Sequence, residues 1–166
     1  MKTDLIVEEW SSIPNRIRKS IDGLTDTDLL VRGGSEGWSI AEYVHHVVEA
    51  NLIAAHIVLA ALGKPGYTYD WSWLAPDREW MVRLSYDRAP IQPALRLFEA
   101  LTAHISSLLS HTPGALAQRV DLIDVPGKVP RNSTVAKVLR EEIAHATNHI
   151  HDIESAKRPF VSKIVS

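Results

Sequence analysis

The amino-acid sequence predicts an all-α fold, a four-helix bundle with a long crossover between its second and third helices. Four segments of roughly 19–24 residues carry apolar side chains at spacings of three and four, which is the periodicity of a helix that buries one face. Helices of this length span about 28–36 Å and are typical of bundles. The stretch 119–131 alternates as a strand does, and we expect at most a marginal β element there.

The first predicted helix covers about 4–22. Pro14 should kink or break it, because proline lacks the N–H donor that a helix interior needs. Gly23 and the TDTD stretch at 25–28 then indicate a stop followed by a helix cap.

The second predicted helix, 40–62, has the clearest start signal in the chain. Ser39 precedes it and Glu42 follows three residues later, which is a capping box in which each side chain satisfies the other residue's free backbone N–H. Gly63 marks the expected end of the helix.

The third and fourth predicted helices, about 90–110 and about 134–156, complete the bundle. Pro90 opens the third helix at its first turn, where a missing N–H does no harm. Ser133 is the expected cap of the fourth helix, and Pro159 is its expected stop.

The crossover at 64–89 is long for a compact domain, and segments of this kind usually have a function or pair with something. Its part 76–84 is a candidate short helix. Because the crossover carries more apolar surface than a small bundle needs to cover, we expect a homodimer. It contains six of the eleven aromatic residues of the chain: Tyr67, Tyr69, Trp71, Trp73, Trp80 and Tyr86.

Composition restricts the class of protein. The 166 residues are 45% hydrophobic and predict one domain over 1–166. Lys and Arg number 18 against 20 Asp and Glu, so no basic excess indicates a nucleic-acid partner. The chain has no cysteine, which excludes a disulfide framework, a thiolate zinc site and a cysteine nucleophile. The acidic N-terminal stretch and the lack of a long apolar run lead us to expect a cytoplasmic protein with no membrane partner.

Two stripes of acids and histidines follow single helix faces. His145 and His149 stand four residues apart, and Glu142 and Asp152 extend their stripe by three residues on either side. The second helix has a counterpart in Glu42, His46 and Glu49. Two such stripes on neighbouring helices predict one shared metal ion, with the carboxylates orienting the ring nitrogens that do not bind it.

His46, His145 and His149 are therefore the predicted ligands of a divalent ion. Three histidines leave coordination positions open, as catalytic sites do. Imidazole suits zinc, nickel, copper and iron(II) alike, so the ligand set does not choose among them. Glu142 and Asp152 are candidate general bases, and both could instead anchor the histidine rings.

The run GWSIAEYVHHVVEAN at 37–51 resembles the second helix of the DinB-like superfamily of metal-dependent enzymes, also called the YfiT/DinB superfamily. Many relatives carry glutamine where this chain has Asp152. The resemblance implies a four-helix bundle, commonly dimeric, whose histidines hold zinc or nickel. Some relatives, including bacillithiol S-transferases and the mycothiol-dependent maleylpyruvate isomerase, use a low-molecular-weight thiol. The positions that match the family's motifs are Trp38, Ser39, Glu42, His46, Glu49, His145 and His149.

The first functional hypothesis is thus a mononuclear metal-dependent enzyme that acts on a small molecule. It would be a hydrolase, or a thiol-dependent S-transferase or isomerase. Since the chain has no cysteine, any thiol must come from outside.

Two alternatives remain open. A ferritin-like di-iron protein places one Glu on each of two helices and Glu-x-x-His on each of the other two. A non-catalytic metal-binding bundle could instead act as a dimeric interaction module through its aromatic crossover. The residues available to the di-iron alternative, in chain order, are Glu8 or Glu9, Glu42, His45, Glu99, Glu142 and His145.

Overall fold

The computed structural model describes the backbone of residues 2–164 and the side chains of residues 5–158. One hydrophobic core runs through these residues. The predicted domain, 1–166, also includes positions 1, 165 and 166, which lie outside the described residues. The largest fully buried side chains include Trp10, Ile13, Ile17, Tyr43, Phe98, Ile105, Leu139 and Ile153.

The first predicted helix is broken in two, as Pro14 indicated. Helix α1 covers Lys2–Ser11 and helix α2 covers Ile13–Ser20, with Pro14 in the first turn of α2. Proline is tolerated there because the first N–H groups of a helix have no intrahelical partner. Gly23 follows with a φ of +74°, in the left-handed region that ends helices.

Helix α3 covers Ile40–Gly63 and has the predicted capping box. The Ser39 side chain accepts from the Glu42 N–H, and the Glu42 carboxylate accepts from the Ser39 N–H. Among the described helices, α3 is the one long and apolar enough to cross a membrane by length and composition alone. In the bundle, 56% of its most apolar stretch is buried, as expected of a core helix.

The crossover contains a strand, β3 (Tyr67–Asp70), and the expected short helix, α4 (Arg78–Arg83). Asp77 begins α4, because its carboxylate accepts from the Trp80 N–H at 2.8 Å. Trp73 is exposed on this segment. The homodimer expected from the crossover stays a prediction.

Helices α5 (Ile91–His111) and α6 (Val135–Ile164) complete the bundle. Two expectations for α6 were wrong. Its first turn is capped by Thr134, whose hydroxyl accepts from the Lys137 N–H, and Ser133 lies in a strand. The helix also continues through Pro159, since a proline removes one donor from a helix without necessarily ending it.

Two small sheets correct the strict all-α prediction, although 62% of the chain is helical. Strand β1 (Arg32–Gly33) pairs antiparallel with β2 (Trp38–Ser39). Strand β4 (Arg119–Ile123) pairs antiparallel with β5 (Arg131–Thr134) and parallel with β3. The alternating stretch therefore forms a hairpin, and the crossover adds a third strand to it. The partner of β3 lies some fifty residues away, so local spacing does not reveal it.

The order of the helices around the bundle places the two histidine stripes side by side. Helix α3 packs mainly against α5 and α6, and the pair α1–α2 packs against the same two helices. Helix α5 therefore lies across the bundle from α6, and the α1–α2 pair lies across it from α3. One buried hydrogen bond spans this diagonal, from Trp10 Nε1 to Asn51 Oδ1 at 2.8 Å.

Candidate metal centre

Three histidine side chains from two neighbouring helices converge at one point. His46 comes from α3, whereas His145 and His149 come from successive turns of α6. The Nε2 atom of His145 lies 3.1 Å from the Nε2 atoms of both other rings. His46 and His149 are buried, and His145 is partly exposed. The structure thus brings together the three residues predicted as ligands.

The three Nε2 atoms fit the ligand positions around one divalent ion. In a tetrahedral site with metal–nitrogen distances of about 2.0–2.1 Å, ligand nitrogens lie about 3.3 Å apart. Both separations from His145 Nε2, at 3.1 Å, are close to this value. Neutral rings without an ion would leave Nε2 lone pairs facing one another, because one N–H of His145 cannot serve two acceptors well. Three protein ligands also leave at least one position for water or substrate.

The outer nitrogen of each ring, Nδ1, faces a carboxylate three residues away on the same helix. A proton on Nδ1 that points at the carboxylate leaves the Nε2 lone pair free to bind a cation. The carboxylates therefore select the tautomer and the orientation of the rings. The pairs are His46–Glu49 at 3.6 Å, His145–Glu142 at 3.5 Å and His149–Asp152 at 3.0 Å.

Two of these pairs contain buried atoms that have no hydrogen-bond partner among the described residues. They are the Nδ1 atoms of His46 and His145 and the Oε2 atoms of Glu49 and Glu142. Unpaired buried polar atoms are unfavourable and call for an explanation. A cation at Nε2 makes the Nδ1 proton a better donor and draws the pair together. The unsatisfied pairs therefore favour a metal-loaded site.

Asp152 is held by the loop between β1 and β2. Its Oδ1 accepts from the Ser35 N–H at 2.8 Å, and its Oδ2 accepts from the Ser35 hydroxyl and from His149. The loop can approach this closely because Gly34, at φ +73°, has no Cβ, which would lie 2.7 Å from the Asp152 Cβ. Burial raises the pKa of Asp152, but the hydrogen bonds from Ser35 and His149 outweigh it, so the pKa is below its ordinary value.

Glu49 is held by the crossover. Its Oε1 accepts from Trp80 Nε1 and from the Tyr86 hydroxyl, each at 2.9 Å. The other oxygen is thereby turned towards His46. Burial and the neighbouring Glu49 charge raise the pKa of Tyr86, which stays a donor. The aromatic crossover thus positions the acid that faces one of the ligands.

Glu42 is fully buried and paired with two guanidinium groups. Arg32 of β1 donates to it at 2.8 and 3.2 Å, and Arg78 of α4 donates to its Oε1. Burial raises the pKa of Glu42, but the bonds from Arg32, Ser39 and Arg78 outweigh it, so the pKa is lowered. Through these ion pairs, Glu42 joins β1 and α4 to the start of α3. Its carboxylate is therefore not available as a metal ligand.

The structure does not assemble the ligand set of the di-iron alternative. Besides Glu42, that model needs His45, whose Nε2 lies 3.0 Å from the Ala89 carbonyl oxygen instead. Glu99 forms an ion pair with Arg18 away from the histidines. The glutamates of the first helix are exposed. One mononuclear site is what the geometry supports.

Sequence reasoning missed most of the residues that support the ligands. Trp38, part of the family motif, packs its ring 5.0 Å from His46 and 5.6 Å from His149. The Tyr43 ring also packs against His149, at 5.3 Å, and its hydroxyl donates to the Gly33 carbonyl. No local spacing indicated Ser35, Trp80 or Tyr86. For Trp80 and Tyr86 the available signal was the concentration of aromatic residues in the crossover.

The environment of His149 keeps its ring neutral. Burial, followed by the neighbouring His145, lowers its pKa from the ordinary 6.5 to about 4, against the opposing effect of Asp152. Only a neutral imidazole offers a lone pair to a metal ion. This ligand therefore needs to lose no proton near neutral pH.

Two cavities meet at the histidines. The smaller, of about 380 Å³, lies between His149 and the loop that carries Ser35. The larger, of about 560 Å³, begins at His46 and His145 and is lined by Glu142 and by many apolar side chains. A small molecule in either cavity would lie beside at least two of the three histidines.

Comparison with known proteins agrees with this geometry. The model of the DinB superfamily matches residues 9–152. A protein of Geobacillus thermodenitrificans named "Putative metal-dependent hydrolase" is 30% identical over 120 residues, which cover 69% of this chain and 65% of that protein. A protein of the same description from Geobacillus kaustophilus is 30% identical over 109 residues, covering 62% and 58%. The chain thus spans less than two thirds of the length of these relatives.

Two solved structures share the fold. YfiT from Bacillus subtilis, described as a probable metal-dependent hydrolase with an unusual four-helix bundle topology, matches with a TM-score of 0.81 and 17% identity. The match covers 95% of this chain and 87% of YfiT. A mycothiol-dependent maleylpyruvate isomerase matches with a TM-score of 0.68 and 11% identity, covering 93% and 62%. Both likenesses concern the fold alone.

Replacing a single ligand should remove the metal. We expect one divalent ion per chain in the wild-type protein and less than a tenth of that in His46→Ala, His145→Ala or His149→Ala, because two imidazoles hold an ion far more weakly than three. The control, His151→Ala, changes an exposed histidine of the same helix and should keep the ion. Elemental analysis of untagged protein measures this. Full occupancy in His46→Ala, or two irons per chain in the wild type, would contradict the assignment.

Acid should destabilise the metal-free protein through His149. Because its folded pKa of about 4 lies below the ordinary 6.5, the unfolded state binds more protons between these values. The free energy of unfolding should therefore fall as the pH drops from 6.5 towards 4, by up to about 1.4 kcal/mol per pH unit. Asp152, whose pKa is lowered, contributes below this window.

Urea unfolding at several pH values, with a chelator present, measures this dependence. His149→Gln should lose it, whereas His151→Gln should follow the wild type. Identical slopes for the wild type and His149→Gln would show that His149 is not the titrating group.

Proposed function

The chain belongs to the DinB superfamily, and from this premise we propose that it is a metal-dependent hydrolase of a small molecule, with one divalent ion held by His46, His145 and His149. The metal-dependent hydrolases named among its relatives support the reaction class. Zinc and nickel are the metals we propose, with iron(II) as the next choice.

The observation that carries this proposal is the convergence of three Nε2 atoms beside a cavity that His46 and His145 line. Each ring is oriented from behind by a carboxylate, which is how catalytic metal sites hold their ligands. A divalent ion there would supply Lewis-acid chemistry and lower the pKa of a water molecule in its open position. The cavity beside the histidines gives the substrate room to approach.

Glu142 is the proposed general base. Its side chain borders the large cavity, and because its Oε2 faces His145 Nδ1 at 3.5 Å, its Oε1 is left to accept a proton. A carboxylate placed in this way can take a proton from the attacking water and pass it to the leaving group.

Asp152 is the proposed positioning residue, although the sequence offered it as a second candidate base. Both of its oxygens already accept hydrogen bonds from Ser35, and one also faces His149 Nδ1. An acid held by three donors and with a lowered pKa is a poor proton acceptor. Its contacts suit fixing the tautomer and orientation of His149.

A thiol-dependent transferase is the second candidate function. The observation that favours it is the fold shared with a mycothiol-dependent isomerase. Since the chain has no cysteine, the thiol would be a separate cosubstrate. The test is whether the protein accelerates the reaction between a low-molecular-weight thiol and 1-chloro-2,4-dinitrobenzene. If it does so and hydrolyses no ester, the transferase is favoured over the hydrolase.

Glu142→Gln should separate catalysis from metal binding. We expect the variant to retain the ion at saturating metal, because the three imidazoles remain. Turnover of 4-nitrophenyl acetate should fall about 10²–10⁴-fold, since glutamine cannot accept the proton. Glu154→Gln changes an exposed acid on the same helix and should keep wild-type turnover.

The background for this assay is the turnover that persists after chelation. Turnover restored by zinc or nickel in the wild type, but not in Glu142→Gln, is the expected result. Equal metal-dependent turnover in both proteins would contradict the role of Glu142.

A further inference from the structure

The larger cavity has an apolar wall along one side of α3. Ala50, Ala54 and Ile57 follow His46 along the helix and line the cavity. Eleven residues separate His46 from Ile57, which corresponds to about 16 Å of helix. The cavity is therefore elongated, with the histidines at one end.

The opposite walls are apolar as well. Trp71 and Leu74 of the crossover and Leu122 of β4 line the cavity, and Val138 of α6 lies one turn before Glu142. The volume of about 560 Å³ is within the range of small-molecule sites. Apolar walls of this extent stabilise a ligand by removing apolar surface from water.

The polar groups of the cavity carry an excess of negative charge. Arg131 is the one cation that lines it, against Asp124, Glu141 and Glu142. Three of its five N–H donors already bond to Asp124 and Glu141, so two carboxylates balance the one positive charge of Arg131. Trp71 Nε1 is likewise bonded to Asp124, at 2.7 Å. Away from the metal position, an anionic group would therefore face more carboxylates than cations.

We propose that the substrate is an elongated small molecule with an uncharged apolar tail, which lies along Ala50, Ala54 and Ile57 while its reacting group lies beside His46 and His145. This rests on the proposed function, because the reacting group is placed by the metal site. Beyond the proposed function, we expect the length of the tail and its lack of charge to determine which substrates bind.

A series of hydroxamic acids tests the proposal, since the hydroxamate group binds a divalent ion and the tail can be varied. Acetohydroxamate, butanohydroxamate and hexanohydroxamate are titrated into zinc-loaded protein by calorimetry. Affinity should rise with each added methylene, by about fourfold at full burial. Succinohydroxamate, which ends in a carboxylate, should bind at least tenfold more weakly than butanohydroxamate.

Ala54→Phe should fill the cavity midway along its length. The variant should bind acetohydroxamate as the wild type does and lose the gain for hexanohydroxamate. Ala60→Leu, on α3 but outside the cavity, is the matched control and should keep the wild-type series. Glu141→Gln should narrow the difference between succinohydroxamate and butanohydroxamate, because it removes a carboxylate and releases one edge of Arg131.

The outcomes separate the two proposals. Failure of acetohydroxamate to bind the zinc-loaded protein would overturn the proposed function and this inference with it. If all three hydroxamates of the series bind with equal affinity, the apolar tail is contradicted and the proposed function is not. If succinohydroxamate binds more tightly than butanohydroxamate, the claim that the substrate's tail is uncharged is contradicted. The wild-type series decides these points even if Ala54→Phe fails to fold.

Discussion

Burying three imidazole rings against one another is unfavourable unless each ring nitrogen has a partner. Much of this fold serves to place those partners. The Nε2 atom of His145 lies 3.1 Å from those of His46 and His149, so a shared cation is the partner that satisfies all three. The Nδ1 atoms point away from the cluster towards Glu49, Glu142 and Asp152. These carboxylates come from the same two helices as the histidines, and the connections between helices hold Glu49 and Asp152 in place.

The order of the helices lets those connections reach the site. Because α3 and α6 are neighbours, the two histidine stripes face each other, and the loops at this end of the bundle reach both helices. The β1–β2 loop holds Asp152 through Ser35, and the crossover holds Glu49 through Trp80 and Tyr86. Trp71 of the crossover also lines the larger cavity. The same segment thus orients a ligand and shapes the space for substrate.

What could be predicted from the sequence is what short-range spacing encodes. The capping box of α3, the break at Pro14 and the histidine stripe on each of the two helices all follow from spacings of at most four residues within one segment. What was missed depends on long-range contacts. These contacts join residues 36 to 117 positions apart, and no local pattern predicts them. They are the pairing of β3 with β4, the hydrogen bonds from Ser35 to Asp152 and the ion pair of Arg78 with Glu42.

X-ray absorption at the metal edge of the zinc- or nickel-loaded protein tests the central claim most directly. The account predicts three imidazole nitrogens at about 2.0–2.1 Å, with the outer-ring scattering typical of histidine, and a light atom in each remaining position. A second metal atom at about 3.5–4 Å would contradict it, as would a first shell made chiefly of carboxylate oxygens.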